Sequence, residues 1–250
     1  KNFQDVLIIP SKSEYTDLME ILSRQQGSST LNQRKQMAAK AFAITAEYDQ
    51  AIAGWLGAYE GKALRYGENP HQTGKFIGDL NAALEQLHGK ELSYNNLLDI
   101  DSALRLIQDF PSEGCAIIKH NNACGAALDR DALKAWETAL AGNPVSAFGG
   151  VIVFNTPVQA KTAEAIDQIF FEMILAPEYE PEALEILCKK KNRIVLLSKP
   201  FTWPAKQQHS ILNGILEQDL DSKTESSPDF KIVSEVHPDN RQIDDLTFAL

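Results

Sequence analysis

The chain has 250 residues, a formal net charge of −10 and a hydrophobic fraction of 44%. This length allows one large domain or two small ones, each with its own core. The acidic balance argues against a protein that wraps a nucleic-acid backbone, although a local cluster of cations can still bind a small anion. Without a membrane-length apolar stretch, a signal peptide or a C-x-x-C spacing, we expect a cytoplasmic protein with no nucleic-acid or membrane partner.

The first part of the chain predicts one short strand and two helices. Residues 5–9 form an apolar run typical of a buried strand, and a helix is predicted over residues 15–24. A long helix is predicted over residues 31–55, because apolar side chains from Met37 to Trp55 recur every three or four positions. Residues 57–62 have the character of a linker.

After this linker the pattern alternates between helices and strands. The helices are predicted over residues 102–110, 132–140, 157–171 and 181–191, and the strands over residues 115–118, 151–154 and 193–197. This alternation favours a parallel or mixed sheet covered by helices on both faces. Residues 199–240 are polar, and we expect them to be irregular.

A lysine and a histidine, Lys119 and His120, directly follow the apolar run at 115–118. Adjacent residues of an extended strand point to opposite faces, so both can act on one substrate only if the chain leaves extended geometry there. Asn121 and Gly125 favour such a break, so we expect the pair at the carboxyl end of its strand, in the mouth of an open sheet. A neighbouring ammonium disfavours the imidazolium, so His120 could act as a base while Lys119 stabilises negative charge; the alternative is a solvated loop pair.

A second polar stretch contains Arg65 and Tyr66. Arginine suits bidentate contact with phosphate or carboxylate, and tyrosine can stack on a flat heterocycle. The alternative is a capped turn with ordinary surface charges. Gly149 precedes a predicted strand, where a ligand or merely a tight turn would need it. Glu172 lies in an apolar run and needs a partner, either a substrate donor or an internal cation.

In their order along the chain, these motifs resemble the bifunctional AICAR formyltransferase/IMP cyclohydrolase family of purine biosynthesis, where AICAR is phosphoribosylaminoimidazolecarboxamide. The matching stretches are residues 35–53, 64–72 (LRYGENPHQ), 92–104 (LSYNNLLDIDSAL), 118–126 (IKHNNACGA), 146–150 (SAFGG) and 174–179 (ILAPEY). They cover most of the chain.

The resemblance implies an α/β fold in two parts. Residues 62–250 are expected to form the first cytidine-deaminase-like half of the transformylase domain, a mixed sheet with helices on both faces. Residues 1–57 are expected to be the tail of a methylglyoxal-synthase-like cyclohydrolase domain with a long connecting helix. The missing initial Met and the uncapped helix pattern at the end suggest a piece of a longer protein.

The resemblance also implies a reaction. The family transfers a formyl group from the co-substrate 10-formyltetrahydrofolate to the 5-amino group of AICAR and then closes the ring to IMP. The implied catalytic residues are Lys119, His120 as proton acceptor, and Lys1 for ring closure. The implied AICAR contacts are Arg65, Tyr66, Gly149 and Glu172.

No catalytic metal is implied, because the H-x-E and P-C-x-x-C ligands of zinc deaminases are absent from the sequence. We expect most folate contacts to lie outside this chain and the protein to be a homodimer with shared active sites. Two alternatives are a non-catalytic nucleotide-binding or dimerisation fragment and, with less support, a nucleotide deaminase.

Overall fold

A computed structural model describes residues 2–57, 61–224 and 226–249 of the chain. The chain divides into two compact units. The first comprises residues 1–63 and 76–78, and the second comprises residues 64–75 and 79–250. None of the described helices is long and apolar enough to cross a membrane.

Two helices dominate the first unit. Helix α1 spans Tyr15–Arg24 and helix α2 spans Leu31–Trp55, both as the sequence predicts. Thr30 begins α2 through a capping box with Gln33, which satisfies backbone groups at the helix start. Of the apolar residues that set the helical period, Met37 is buried, whereas Trp55 is 85% exposed.

The predicted strand at residues 5–9 is wrong. This segment has no regular secondary structure, and Val6 and Ile8 are about half exposed. An apolar run becomes a strand only when another strand accepts its hydrogen bonds, and no described strand pairs with this one.

A six-stranded mixed sheet forms the body of the second unit, after two short strands, β1 (Lys62–Ala63) and β2 (Lys75–Phe76). Its strands and helices follow in chain order: β3 Leu84–His88, α3 Tyr94–Gln108, β4 Gly114–Lys119, β5 Asn122–Leu128, α4 Ala132–Gly142, α5 Pro144–Ala147, β6 Val151–Phe154, α6 Ala160–Asp167, β7 Met173–Ala176, α7 Pro181–Leu187 and β8 Ile194–Ser198. After the sheet come β9 (Lys206–Ile211), β10 (Gly214–Asp219) and α8 (Asn240–Ala249).

The strands lie in the order β3-β8-β7-β6-β4-β5. Strands β6, β7 and β8 are parallel to one another, whereas β3, β4 and β5 each pair antiparallel to a neighbour. Helix α3 covers one face with Ile100, Ala103 and Ile107. Helices α4, α6 and α7 cover the other face. The predicted mixed sheet with helices on both faces is therefore confirmed.

Successive residues of the central strands enter opposite layers of the core, as the two-residue period of a strand requires. Ile117 packs with the α4 side, and the next residue, Ile118, packs with the α3 side. Both are essentially inaccessible to solvent. This double burial makes β4 a fixed base for the residues that follow it.

Several predicted boundaries are corrected by helix caps and tertiary contacts. Helix α3 begins at Tyr94, eight residues before the predicted start at residue 102, because Ser93 caps it. Helix α6 is shorter than the predicted 157–171, since Val158 forms a bridge with Tyr179 instead of a helical turn. Helix α7 ends at Leu187, before the lysines expected to close it. The region expected to be irregular contains the β9–β10 hairpin.

Candidate active site

Lys119, Gly149 and Glu172, three of the predicted site residues, lie close together at one edge of the sheet. Ile118 near the end of β4 lies opposite Val151 at the start of β6, and Val151 lies opposite Met173 at the start of β7. The end of β4 therefore lies beside the starts of two parallel strands. Lys119 directly follows Ile118, Glu172 directly precedes Met173, and Gly149 is two residues before Val151.

The expectation that Lys119 and His120 lie where their strand ends is confirmed. Their predicted place in the usual ligand-binding mouth of a parallel sheet, at the carboxyl ends of the strands, is wrong. Because β4 runs antiparallel to β6, its carboxyl end meets the amino ends of the parallel strands. The site thus occupies the opposite edge of the sheet.

A two-residue turn joins β4 to β5. Lys119 pairs with Asn122, and between them His120 and Asn121 have positive φ angles of 52° and 61°. This left-handed geometry matches the twist of a hairpin, and asparagine tolerates it better than most residues. The turn exposes the His120 imidazole, which makes no hydrogen bond within the described part of the chain.

The ammonium group of Lys119 points to the loop before β6. Its Nζ donates a hydrogen bond of 2.8 Å to the carbonyl of Phe148. The next residue, Gly149, has a φ of 78°, and its amide donates to the carbonyl of Phe170 at 2.8 Å. A ligand contact at Gly149 would therefore use its carbonyl or its bare Cα.

Glu172 has protein partners on one of its carboxylate oxygens. Oε1 accepts a hydrogen bond from Asn96 Nδ2 at 3.1 Å and lies 3.0 Å from Lys90 Nζ. Partial burial acts to raise the pKa of Glu172, but Asn96, Lys90 and the nearby Arg65 outweigh it and hold the pKa below its usual value. The structure thus supplies the internal cation that the sequence left as an alternative, and the Glu172 side chain is still 34% exposed.

The loop containing Arg65 and Tyr66 is stabilised by its own polar groups. The amide of Gly67 donates to the carbonyl of Gln72 at 2.7 Å, closing the loop. The Arg65 guanidinium carbon lies 5.3 Å from the centre of the Tyr66 ring, within cation–π range. Arg65 is exposed. The positive charge of Arg65 helps to lower the pKa of Glu172, so the two charges are close enough to interact.

Helix α3 organises these segments, and the sequence analysis did not identify its role. Asn95 Nδ2 donates to the carbonyl of Glu68 at 3.1 Å, Asn96 binds Glu172, and Asp99 Oδ1 accepts from the amide of Asn121 at 2.8 Å. These residues belong to the stretch LSYNNLLDIDSAL, whose polar positions on an otherwise apolar helix were an available signal. Their contacts join three segments that are distant in sequence.

Asp99 is the other charged group beside the turn. Burial raises the pKa of Asp99; the hydrogen bond from Asn121 and the cationic form of His120 oppose this rise, and Glu172 adds to it. In the sequence, Lys119 is the charged residue next to His120, and Asp99 is 21 residues away. The turn therefore follows a cation at the end of β4 and is bonded to a carboxyl group of α3.

Two other predictions stay as predictions. Lys1, the implied ring-closure residue, lies outside the described residues. Across residues 2–57, 61–224 and 226–249, no group of three or more His, Cys, Asp or Glu side chains could hold a metal ion. The expectation of a metal-free reaction rests on the sequence motifs.

Comparison with known sequences decides the family. The model of the AICARFT/IMPCHase bienzyme family matches residues 1–250. The chain belongs to the AICARFT/IMPCHase bienzyme family. The resemblance carried by the polar motifs is therefore confirmed over the whole chain.

Relatives from distant bacteria support this membership. The chain is 47% identical to the bifunctional purine biosynthesis protein PurH of Bacteroides thetaiotaomicron, in an alignment covering 100% of the chain and 51% of the relative. It is 41% identical to the PurH proteins of Chloroflexus aurantiacus and Desulfitobacterium hafniense, again over 100% of the chain and 51% or 54% of the relative. The chain spans about half the length of these AICARFT/IMPCHase relatives.

Proposed function

We propose that this chain supplies the AICAR-binding part of a formyl-transfer site in purine biosynthesis. In the full-length bifunctional protein, a formyl group passes from 10-formyltetrahydrofolate to the 5-amino group of AICAR, and ring closure then gives IMP. The observation that carries this proposal is the convergence of Lys119, Gly149 and Glu172 on one edge of the sheet. Family membership supplies the reaction class.

The geometry suits a nucleotide that carries a flat ring and a poor nucleophile. Arg65 offers a cation for an anionic group, and Tyr66 offers an aromatic face for a heterocycle. Glu172 offers an acceptor for a substrate donor. The exposed aromatic rings of Phe148 and Phe170 contact each other, with centroids 5.3 Å apart, and the Gly149 amide bonds to the carbonyl of Phe170.

In the proposed transfer, the amine nitrogen of AICAR attacks the formyl carbon and forms a new C–N bond. The carbonyl oxygen of the formyl group becomes negatively charged in the tetrahedral intermediate, and the Lys119 ammonium stabilises it. His120 accepts the proton that leaves the amine. The bond from the formyl carbon to N10 then breaks, the carbonyl re-forms, and N10 takes up a proton to give tetrahydrofolate.

The remaining parts of the proposal concern the full-length protein. Residues 62–250 form the first cytidine-deaminase-like half of its transformylase domain, and residues 1–57 form the tail of the methylglyoxal-synthase-like domain, where Lys1 serves ring closure. Most contacts to the folate co-substrate come from outside this chain. The protein is a cytoplasmic homodimer with shared active sites.

The test replaces His120 by asparagine in a full-length family member that contains this sequence. Asparagine tolerates positive φ, so His120→Asn keeps the turn while removing the base. We expect formyl transfer to fall by about 100-fold or more, because general-base catalysis commonly contributes about 10²–10⁴-fold. Cyclohydrolase activity, measured with formylated AICAR, should be unchanged. Formyl transfer at a near wild-type rate would show that His120 is not the base.

A binding experiment addresses the alternative of a non-catalytic nucleotide-binding fragment. The Glu172 carboxylate is paired with Lys90 but partly exposed, and Arg65 is exposed. Both features favour binding of AICAR by this chain alone. Calorimetry with AICAR should therefore show saturable binding that Arg65→Ala weakens. Binding by the chain together with unimpaired formyl transfer in the full-length His120→Asn protein would favour the binding-only alternative for this half.

A further inference from the structure

The peptide unit between His120 and Asn121 is held at both of its polar atoms. Its carbonyl, from His120, accepts a hydrogen bond of 2.8 Å from Asn122 Nδ2. Its N–H, from Asn121, donates a hydrogen bond of 2.8 Å to Asp99 Oδ1. The plane of this peptide is therefore fixed from two sides, directly after the Cα that carries the imidazole.

Helix α3 provides a second contact to the same turn. Ser102, one helical turn after Asp99, donates its hydroxyl hydrogen to Asn121 Oδ1 at 3.3 Å. Residues three and four apart lie on the same face of a helix, so Asp99 and Ser102 form one surface against the turn. This surface belongs to a helix that is anchored by Ile100 and Ala103, both buried in the core.

Hairpin formation does not require these contacts. A two-residue turn with positive φ is specified by its own backbone, and the strands on either side supply the ladder hydrogen bonds. The contacts instead remove rotational freedom from the peptide next to His120. Displacement of a catalytic group by about 1 Å can reduce a rate by about 100-fold, so such immobilisation has a direct use in catalysis.

We propose that Asp99 is a positioning residue that fixes the His120 imidazole at the formyl-transfer centre through the amide of Asn121. This inference rests on the proposed function and goes beyond it, because Asp99 acts on His120 through the turn and not on the substrate. The acceptor oxygen, not the negative charge, is the essential feature. His120 and Glu172 are the titratable groups that face Asp99, and Lys90 and Arg65 adjoin Glu172.

Three variants of the full-length protein separate these contributions. Asp99→Asn keeps an oxygen that can accept the Asn121 hydrogen bond but removes the charge. Asp99→Ala removes both. Asp101→Ala is the matched control on the same helix, because Asp101 forms an ion pair with Arg105 at 2.8 Å and does not contact the turn.

The kinetic parameters kcat and KM for AICAR are measured in formyl transfer, with cyclohydrolase activity as a control for folding. Asp99→Ala should lower kcat by about 10- to 100-fold while KM changes less than about twofold, because only the position of the base is lost. Asp99→Asn should stay within about threefold of the wild type in kcat. Asp101→Ala should match the wild type.

Different failures have different meanings. An Asp99→Ala protein with wild-type kcat, alongside an inactive His120→Asn protein, overturns the positioning role and leaves the proposed function intact. Equal losses in Asp99→Asn and Asp99→Ala, or a change confined to KM, also overturn it. An active His120→Asn protein refutes the assignment of His120 as the base, on which the positioning role rests.

Asn122→Ala covers the case in which Asp99→Ala does not fold. It removes the hydrogen bond to the other polar atom of the same peptide and leaves α3 unchanged. We expect a loss in kcat without a change in KM, as for Asp99→Ala. A wild-type kcat in this variant would show that holding the peptide does not matter.

Discussion

The second unit contains two hairpins with two-residue turns, and they differ in what surrounds the turn. In the β4–β5 hairpin, His120 has a φ of 52°; in the β9–β10 hairpin, Leu212 has a φ of 51°. Side chains of α3 contact the first turn. Leu212 in the second turn is fully exposed. A positive φ at the first residue of the turn therefore occurs with and without support from the rest of the fold.

The strands of the two hairpins differ in the same way. Residues 114–118 of β4 are buried, whereas β9 and β10 are exposed along almost their whole length. A hairpin of the β9–β10 kind rests on local hydrogen bonds, and a hairpin of the β4–β5 kind is part of the core. The turn carrying His120 is therefore held more firmly than its geometry alone requires.

The largest difference in the free energy of unfolding should appear when a methyl group is added to β5 of the first hairpin and, as a control, to β10 of the second. A Cβ at Gly125 in β5 would lie 1.9 Å from the carbonyl oxygen of Ala139 in α4, whereas a Cβ at Gly214 in β10 would meet nothing within 4 Å. Overpacking against a backbone atom costs about 1–3 kcal/mol or more. We expect urea unfolding to show such a loss for Gly125→Ala and a change within about 0.5 kcal/mol for Gly214→Ala. Equal stabilities would mean that β5 is not packed against α4.

Exchanging the turn residues should give a smaller effect of opposite sign in the two hairpins. Leu212→Asn replaces a residue that disfavours positive φ, so the β9–β10 hairpin should gain up to about 1 kcal/mol in local stability. Asn121→Leu makes the reverse change and also removes the acceptor for Ser102, so it should lose about 1–2 kcal/mol. Amide hydrogen exchange within each hairpin measures both changes. Slower exchange around residue 121 in Asn121→Leu would contradict the expected order.

The smallest effect should be the pH dependence of stability, which should have opposite signs for Asp99 beside the first hairpin and Glu217 in the second. Burial raises the pKa of Asp99. The folded protein therefore holds the Asp99 proton more tightly than the unfolded chain does. The resulting stabilisation is present at low pH and is lost as pH rises through the raised pKa. Hydrogen bonds from Lys206 and Gln208 lower the pKa of Glu217 in β10, so its contribution is present above its ordinary pKa and is lost as pH falls through the lowered value.

Urea unfolding between about pH 3 and pH 7 can detect this contrast, since ordinary carboxyl groups titrate near pH 4. With rising pH, Asp99→Asn should become more stable relative to the wild type. Glu217→Gln should become less stable relative to it. The same sign in both variants would show that the two carboxyl groups have similar surroundings.

Local pattern was sufficient to predict elements that have a clear helical period or a continuous apolar run. The bounds of α2 follow from its period and from Thr30, and the apolar run of β6 matches residues 151–154. The break after Lys119 was predictable because Asn121 tolerates the required backbone geometry. Residues 5–9 were mispredicted because hydrophobicity indicates burial but not the presence of a pairing strand.

Only some residues of the candidate site could be predicted from the sequence, because the others depend on contacts between distant segments. Lys119, His120 and Arg65 are conspicuous, because cations beside apolar strands need an explanation. The roles of Asp99 and Asn96 depend on the way in which α3 packs against the turn and against Glu172. Such contacts between distant segments have no local signature, and neither does the antiparallel direction of β4 that moves the site to the other edge of the sheet.

Single-turnover formyl transfer with Lys119→Ala tests most directly whether the supported hairpin is the reacting centre. Lys206→Ala is the matched control, because Lys206 begins the exposed β9–β10 hairpin and pairs with Glu217. With AICAR and the formyl donor both saturating, Lys119→Ala should slow the chemical step by about 100- to 1,000-fold, the usual effect of removing a group that stabilises an oxyanion. Lys206→Ala should leave it unchanged. A Lys119→Ala protein that transfers formyl as fast as the Lys206→Ala protein would contradict the assignment of this turn as the site of chemistry.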